Sequence, residues 1–334
     1  MSYIEETALH LQTKIDPKPS KYKIQLKDSL FTIGSCFSQV MGVYLRQNKF
    51  NVSINPFGTV YNPQSIFKLL QMTIDRSLPD PNGFVKQGEV HLHHDFHSDL
   101  SELSKDKLKK SIDRKINNAH DFVRKVDWLV ITFGSAIIYR MKGNGEVVAN
   151  CHKVPQKEFD KEILKTEKII GGFEEVRPSL SALNPELRIV LTVSPVRHVK
   201  DGLQDNSYSK SILRVCCQEL ASAYPNVSYF PSYEIMIDDL RDYRYYGHDL
   251  IHPNELAESY IWDVFKKTYL AEEDLILLEK WEKLRKALDH RPRHPETLEY
   301  KLFLKNTLDK MEELSDSIDI KGEIAQVKSI LQQN

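Results

Sequence analysis

The chain has 334 residues, 41% hydrophobic and 28% charged, with 46 Lys and Arg against 47 Asp and Glu for a formal net charge of −1. That composition suits a globular protein with a large core, and the balanced charge supplies no field for nucleic acid or an anionic membrane. The opening MSYIEETALH lacks the apolar run of a secretion signal, residues 128–139 are too few for a membrane span, and Cys36, Cys151, Cys216 and Cys217 match no zinc spacing; a cytoplasmic protein with reduced thiols is expected.

In chain order, a short apolar run at residues 30–33 meets Gly34, and an amphipathic stretch with Val40, Val43, Tyr44 and Leu45 on one side follows, predicting strand, tight turn and helix. A second strand is predicted at residues 51–54. The next helix starts at Asn62-Pro63, Asn as cap and Pro at the first helical position, with Ile66, Leu69, Leu70 and Ile74 as its buried stripe. Residues 76–100 read as an excursion from the scaffold, because Pro79, Pro81, Gly83 and Gly88 interrupt any regular element.

A charged helix is predicted over residues 104–125, whose lysines form a solvated face. Residues 128–133 are continuously apolar, as a central parallel strand covered on both faces would be. Residues 137–149 read as a hairpin turning at Lys142-Gly143-Asn144-Gly145. A helix from about Asp160, a strand at 188–193, a helix at 208–224 and a strand at 227–230 complete an alternation of strands and helices, which predicts a parallel sheet covered by helices. Residues 1–269 thus form an α/β domain. Residues 270–334, charged and nearly free of Gly, read as a helical C-terminal extension divided near 291–295; it could serve dimerisation or cover its own chain.

A doubly wound sheet presents working residues beyond the carboxyl ends of its strands. Three segments fall there: Gly34-Ser35-Cys36, Asn55-Pro56-Phe57-Gly58, and Asp249-Leu250-Ile251-His252-Pro253-Asn254. Asp249 and His252, three apart before a helix, suit an imidazole base oriented by a carboxylate. A nucleophile opening the first helix would have backbone amides to hold an anion. Either segment alone is weak, since an Asp-x-x-His pair is more often a capped helix start and a Gly-Ser-Cys turn is more often only a turn.

Together, in the order nucleophile, Asp, His, they resemble an SGNH hydrolase. GSCFS followed by INPFGTVYNPQSI, with NCHKVP, TVSPVRH and SYEIMIDDLRDYRYYGHDLIHPN, is similar to the GSCFA family grouped with those enzymes, over residues 30–265. The resemblance implies a three-layer flavodoxin-like α/β fold with His252 as base and Asp249 as its orienting partner. Laying the Gly-Asp-Ser block of SGNH enzymes on this turn puts Cys36 at the nucleophile position; a register shift of one would put Ser35 there. Gly58 suits an oxyanion donor, Ala136 stands where an Asn donor is expected, and Asn150 could supply that amide. Asn55 and His152 are further substrate-binding candidates.

The expected activity is acyl transfer, as esterase, thioesterase or acyltransferase, on an acylated carbohydrate, glycolipid or small ester, without a cofactor. Two rival readings are a non-catalytic binding module that retains the pocket and a metal-dependent hydrolase using His91, His93, His94, Asp95 and His97. That cluster meets no standard metal spacing, so a loop at the rim of the site is the better reading. Tyr243, Tyr245 and Tyr246 read equally as an aromatic wall for substrate or as packing against the C-terminal helices.

Overall fold

The computed structural model describes residues 13–289 and 292–333. A five-stranded parallel sheet runs in the order β10-β9-β5-β1-β2, built from β1 (Ser29–Gly34), β2 (Asn51–Ile54), β5 (Trp128–Phe133), β9 (Arg188–Val193) and β10 (Val227–Phe230). Read from the other edge, this is the doubly wound order in which the chain starts second from the end and then crosses over. The fold is therefore three-layered α/β, of the flavodoxin-like kind.

Side-chain alternation assigns the two faces. Phe31, Ile33, Leu129, Ile131, Phe133, Ile189, Leu191 and Val193 point to one core, while Leu30, Trp128, Val130 and Val190 point to the other. The first face is covered by α2 (Pro63–Asp75), α3 (Lys105–Val123), α4 (Thr166–Leu183) and α5 (Leu203–Ala223). The second is covered by α1 (Cys36–Gln47), the turn at 235–239 that follows the short α6 (Ser232–Glu234), and α7 (Glu255–Tyr269). β5 is buried at all six positions, which explains its unbroken apolar sequence.

Caps fix where helices begin. Asn62 Oδ1 accepts from the Ser65 amide at 2.8 Å with Pro63 behind it, and Asn254 Oδ1 accepts from the Ala257 amide at 3.1 Å. The C-terminal part consists of α8 (Glu272–Leu288), α9 (Leu298–Leu314) and α10 (Lys321–Gln333), which join the second core through Leu278, Trp281, Leu304, Met311 and Val327. Trp281 Nε1 donates to the Gln47 carbonyl at 2.8 Å, tying α8 to the end of α1. The extension thus packs on its own chain. Of the division expected near 291–295, Arg291 lies outside the described residues, and a second division separates α9 from α10.

The excursion at 76–100 contains a hairpin of β3 (Phe84–Gln87) and β4 (Val90–His93). The hairpin expected at 137–149 is present as β6 (Ile137–Met141) and β7 (Val147–Val148). The helix expected from Asp160 is instead strand β8 (Phe159–Ile163), antiparallel to β6, and α4 begins only at Thr166. β6 needed a second partner; Phe159 is buried beside it while Asp160, Lys161 and Glu162 face water and blunt the new edge. No helix among the described residues is long and apolar enough to cross a membrane.

Candidate active site

β1 ends at Gly34, whose φ is +141° and whose hypothetical Cβ would lie 2.1 Å from the Thr132 carbonyl oxygen; only glycine lets β1 pass β5 so closely before the turn. The turn sends the next two side chains opposite ways. Ser35, the N-cap of α1, is fully buried, and its Oγ has no hydrogen-bond partner among the described residues. Cys36, the first residue of α1, is half-buried and lines a cavity of about 430 Å³. Of the two candidate nucleophiles, the thiol is the one that faces open space. Burial pushes that thiol up; the Lys210 charge opposes this most, followed by the Phe37 and Cys36 amides that approach the sulfur, while Glu258 adds to the rise.

His252 lines the same cavity, brought there by the turn preceding α7. Its Nδ1 donates to Asp249 Oδ2 at 2.6 Å, and Asp249 Oδ1 accepts from the Ile251 and His252 amides at 2.9 and 3.0 Å. The His252 ring, then those two amides, hold the Asp249 carboxyl well below the usual carboxylate range. The carboxylate is thus an acceptor only, so Nδ1 carries a proton, and in the neutral ring Nε2 is the nitrogen left with a lone pair. The turn is strained in a defined way: Leu250 sits at φ +57°, held by its amide on Gly247 O at 3.0 Å and by the Gly247 amide on His252 O at 2.8 Å.

The other predicted residues divide. Asn55, at φ +36°, sends its Nδ2 toward Gly34 O and Ser35 O at 3.4 and 3.3 Å, so it braces the nucleophile turn and does not line the cavity. The Gly58 amide donates to Asn55 O at 2.8 Å, and its Cα lies against His97, whose Cβ would be 2.3 Å from an added methyl. Asn150 lines the cavity, with Oδ1 accepting from the His152 amide at 2.9 Å. His152 itself is buried away from it, donating from Nε2 to His93 O at 2.8 Å.

The histidine cluster is a hydrogen-bonded lock of the excursion. His93 Nε2 donates to Asp80 O at 2.8 Å while its Nδ1 accepts from the Asp95 amide at 3.1 Å, and His94 Nδ1 donates to Asn150 O at 2.7 Å. Burial pushes His93 and His152 down, keeping both neutral. Among the described residues no three His, Cys, Asp or Glu side chains converge as metal ligands would. Tyr243, Tyr245 and Tyr246 do not line the cavity either. Tyr246 and Tyr243 instead flank the Arg197 guanidinium, at 3.9 and 5.2 Å from their ring centres, and it is Arg197 that lines the cavity.

Sequence reasoning passed over several wall residues. Asn62 spends its Oδ1 on the α2 cap, which leaves its Nδ2 as a donor at the wall. His198 stands edge-on to Tyr61 with ring centres 4.9 Å apart, and burial, then the Lys210 charge, hold it down to about 4, so it is neutral. The segment TVSPVRH carried this signal, because it follows β9 at the carboxyl edge where Cys36 and His252 also stand. Lys200 and Cys151 complete the rim on that side.

A family model described as the GSCFA family matches residues 29–265, and one described as GSCFA domain protein, C-terminal domain, matches residues 281–333. Among curated proteins none matches the chain. Among solved structures, the chain is similar to a candidate acylhydrolase from Bacteroides fragilis, at 10% identity over 79% of this chain and 92% of that one, with a TM-score of 0.39. It is also similar to a carbohydrate esterase family 3 from Talaromyces cellulolyticus, at 9% identity over 75% and 98% of the two chains and a TM-score of 0.36. A family 3 carbohydrate esterase from Clostridium thermocellum gives 12% identity, 77% and 98% coverage and a TM-score of 0.30. The first family match spans well over half of the sequence and includes both the GSCFS turn and the DLIHPN turn, and the chain belongs to the GSCFA family.

Proposed function

We propose that this protein is an acyl-transfer enzyme, an esterase, thioesterase or acyltransferase, that works through Cys36, His252 and Asp249. One observation carries the reading: a thiol at a helix N-terminus and a carboxylate-oriented imidazole line the same cavity. In the first half-reaction the Cys36 sulfur attacks the carbonyl carbon of an ester or thioester and its proton passes to His252 Nε2. The carbonyl oxygen takes up the negative charge, for which we assign as donors the Cys36 and Phe37 amides, which act on the sulfur in the resting site, and the Asn62 side-chain amide in the cavity wall. Collapse breaks the bond to the leaving alcohol or thiol, which departs with the proton from His252, and Cys36 holds the acyl group as a thioester. In the second half-reaction water or an acceptor hydroxyl gives its proton to His252, attacks that thioester, and frees Cys36, which takes the proton back.

The cavity wall combines Tyr61, Tyr139 and Ile137 with Asn150, Arg197 and Lys200, an apolar and aromatic surface edged by donors. That suits an acyl group carried on a polyhydroxylated or otherwise polar carrier. With the SGNH-like order of its motifs, it points to acylated carbohydrates, glycolipids or small-molecule esters as the substrate class.

A second reading, a pocket that binds without turning over, draws on two observations: burial pushes the Cys36 thiol up, and the Gly58 amide is committed within its own turn. Steady-state hydrolysis of p-nitrophenyl and acyl thioester substrates separates the two. The enzyme reading predicts turnover that falls by about a hundredfold or more in His252→Ala, the contribution of a lost general base. Binding of acylated ligands with no turnover of any of them contradicts it.

A further inference from the structure

Helix α5 turns Asn206, Ser209, Leu213, Cys217 and Leu220 to the sheet, and Lys210 lies among them with only 1% of its surface exposed. A lysine so deeply buried ordinarily has a carboxylate partner, because an uncompensated buried charge is expensive. Lys210 instead donates to two carbonyls, Gly134 O and Ser194 O, each at 2.7 Å. Those residues directly follow β5 and β9, at the carboxyl edge of the sheet, and Gly134 precedes Ser135 in the cavity wall. Burial lowers Lys210 to about 7, and the Cys36 sulfur works against the fall.

The relation runs both ways, since the Lys210 charge is also the largest influence opposing the burial of Cys36. The other ionisable groups around the pair do not replace this partnership. His198 is held neutral, the Tyr233 ring lies 5.7 Å from Nζ with its hydroxyl pushed up, and Glu258, acting on Cys36 from α7, disfavours an anion there.

We propose that Lys210 is a positioning residue of this site, a buried amine that braces the ends of β5 and β9 through the Gly134 and Ser194 carbonyls and, in its protonated form, stabilises negative charge at the Cys36 sulfur, where Ala136 supplies no side-chain donor. The proposal rests on reading Cys36 as the nucleophile, but its test does not use turnover. Wild-type protein and Lys210→Gln, which keeps donors for the two carbonyls and removes the charge, are alkylated with iodoacetamide across a range of pH, with Cys36 and Cys151 followed separately by peptide mass. At neutral pH Cys36 alkylation is expected to slow roughly tenfold in Lys210→Gln, its profile moving to higher pH while that of Cys151 stays in place, as loss of a nearby opposite charge requires. An unchanged Cys36 profile in a folded Lys210→Gln protein overturns the proposal and leaves Lys210 as a brace alone. If the variant does not fold, the wild-type chain decides: Cys151 lines the same cavity and is also raised by burial, with Lys200 as its nearby cation. Cys36 must then ionise at lower pH than Cys151, and the reverse order overturns the proposal. A protein with no acyl-transfer activity could still give either result, so the two readings fail separately.

Discussion

The His252 imidazole and the Asp249 carboxylate meet at 2.6 Å, Nδ1 to Oδ2, across a turn whose amides hold the other carboxylate oxygen. The pairing puts a proton on Nδ1, and it ties the His252 ring to the four-residue turn at 249–252 that precedes α7. Asp249→Asn keeps an oxygen for the two amides, so the turn persists, but it loses the anion that demands a proton on Nδ1. Activity toward esters or thioesters is expected to fall by about 10²–10⁴-fold with the thermal midpoint nearly unchanged. Equal kcat/KM in Asp249→Asn and wild type would remove Asp249 from the mechanism.

Ser35 and Cys36 are adjacent but face different environments, and substitution should separate them. Ser35 Oγ is buried without a partner among the described residues and makes no cap bond. Ser35→Ala is therefore expected to change stability by less than about 1 kcal/mol and to leave kcat within severalfold. Cys36→Ala is expected to abolish turnover in a folded protein, measured by the same kinetics alongside circular dichroism. Loss of activity in Ser35→Ala with retention in Cys36→Ala would reverse the assignment.

Gly34 tests the close passage of β1 against β5. A methyl group there would meet the Thr132 carbonyl at 2.1 Å, on a backbone with φ +141°. Gly34→Ala is expected to cost more than about 3 kcal/mol, the range of substitutions that force backbone apart. Urea unfolding midpoints check this, and a loss below about 1 kcal/mol would show that the two strands can separate freely.

His198 gives the protein an acid-side liability. It takes a proton near 6.5 when unfolded but only at about 4 when folded, because burial, then Lys210, disfavour its cation. Between those values the unfolded chain holds more protons, so stability falls as pH drops through that window. The loss reaches roughly 3 kcal/mol at full extent. His198→Gln should flatten it, as read by denaturant unfolding at neutral and mildly acidic pH, whereas parallel stability curves for the two proteins would place the acid sensitivity elsewhere.

Much of the fold was legible because local pattern and tertiary fate agreed. The unbroken apolar run of β5 foretold its central place, and Asn62-Pro63 foretold the start of α2 by cap chemistry alone. β8 was not legible: Asp160, Lys161 and Glu162 carry no strand preference, and their extended form follows from the open edge of β6. In the site, residue order pointed to Cys36, His252 and Asp249, but which of Ser35 and Cys36 faces the cavity depends on the rotation of the chain after Gly34. The carboxyl-edge position of Gly58 gave no sign that its amide is used within its own turn. Nothing in SYSKSILRVCC marks Lys210 for burial; two carbonyls that follow strands distant in sequence accept from its amine.

The most direct test of the central claim is the mass of the acyl-enzyme. Purified protein is mixed with a p-nitrophenyl ester or an acyl thioester, quenched in acid, and measured intact and after proteolysis. The account predicts an added acyl mass on the peptide containing Cys36, located to Cys36 itself, present in wild type, absent in Cys36→Ala and slow to form in His252→Ala. An adduct on Ser35 or on Cys151, or turnover that persists in Cys36→Ala, would contradict it.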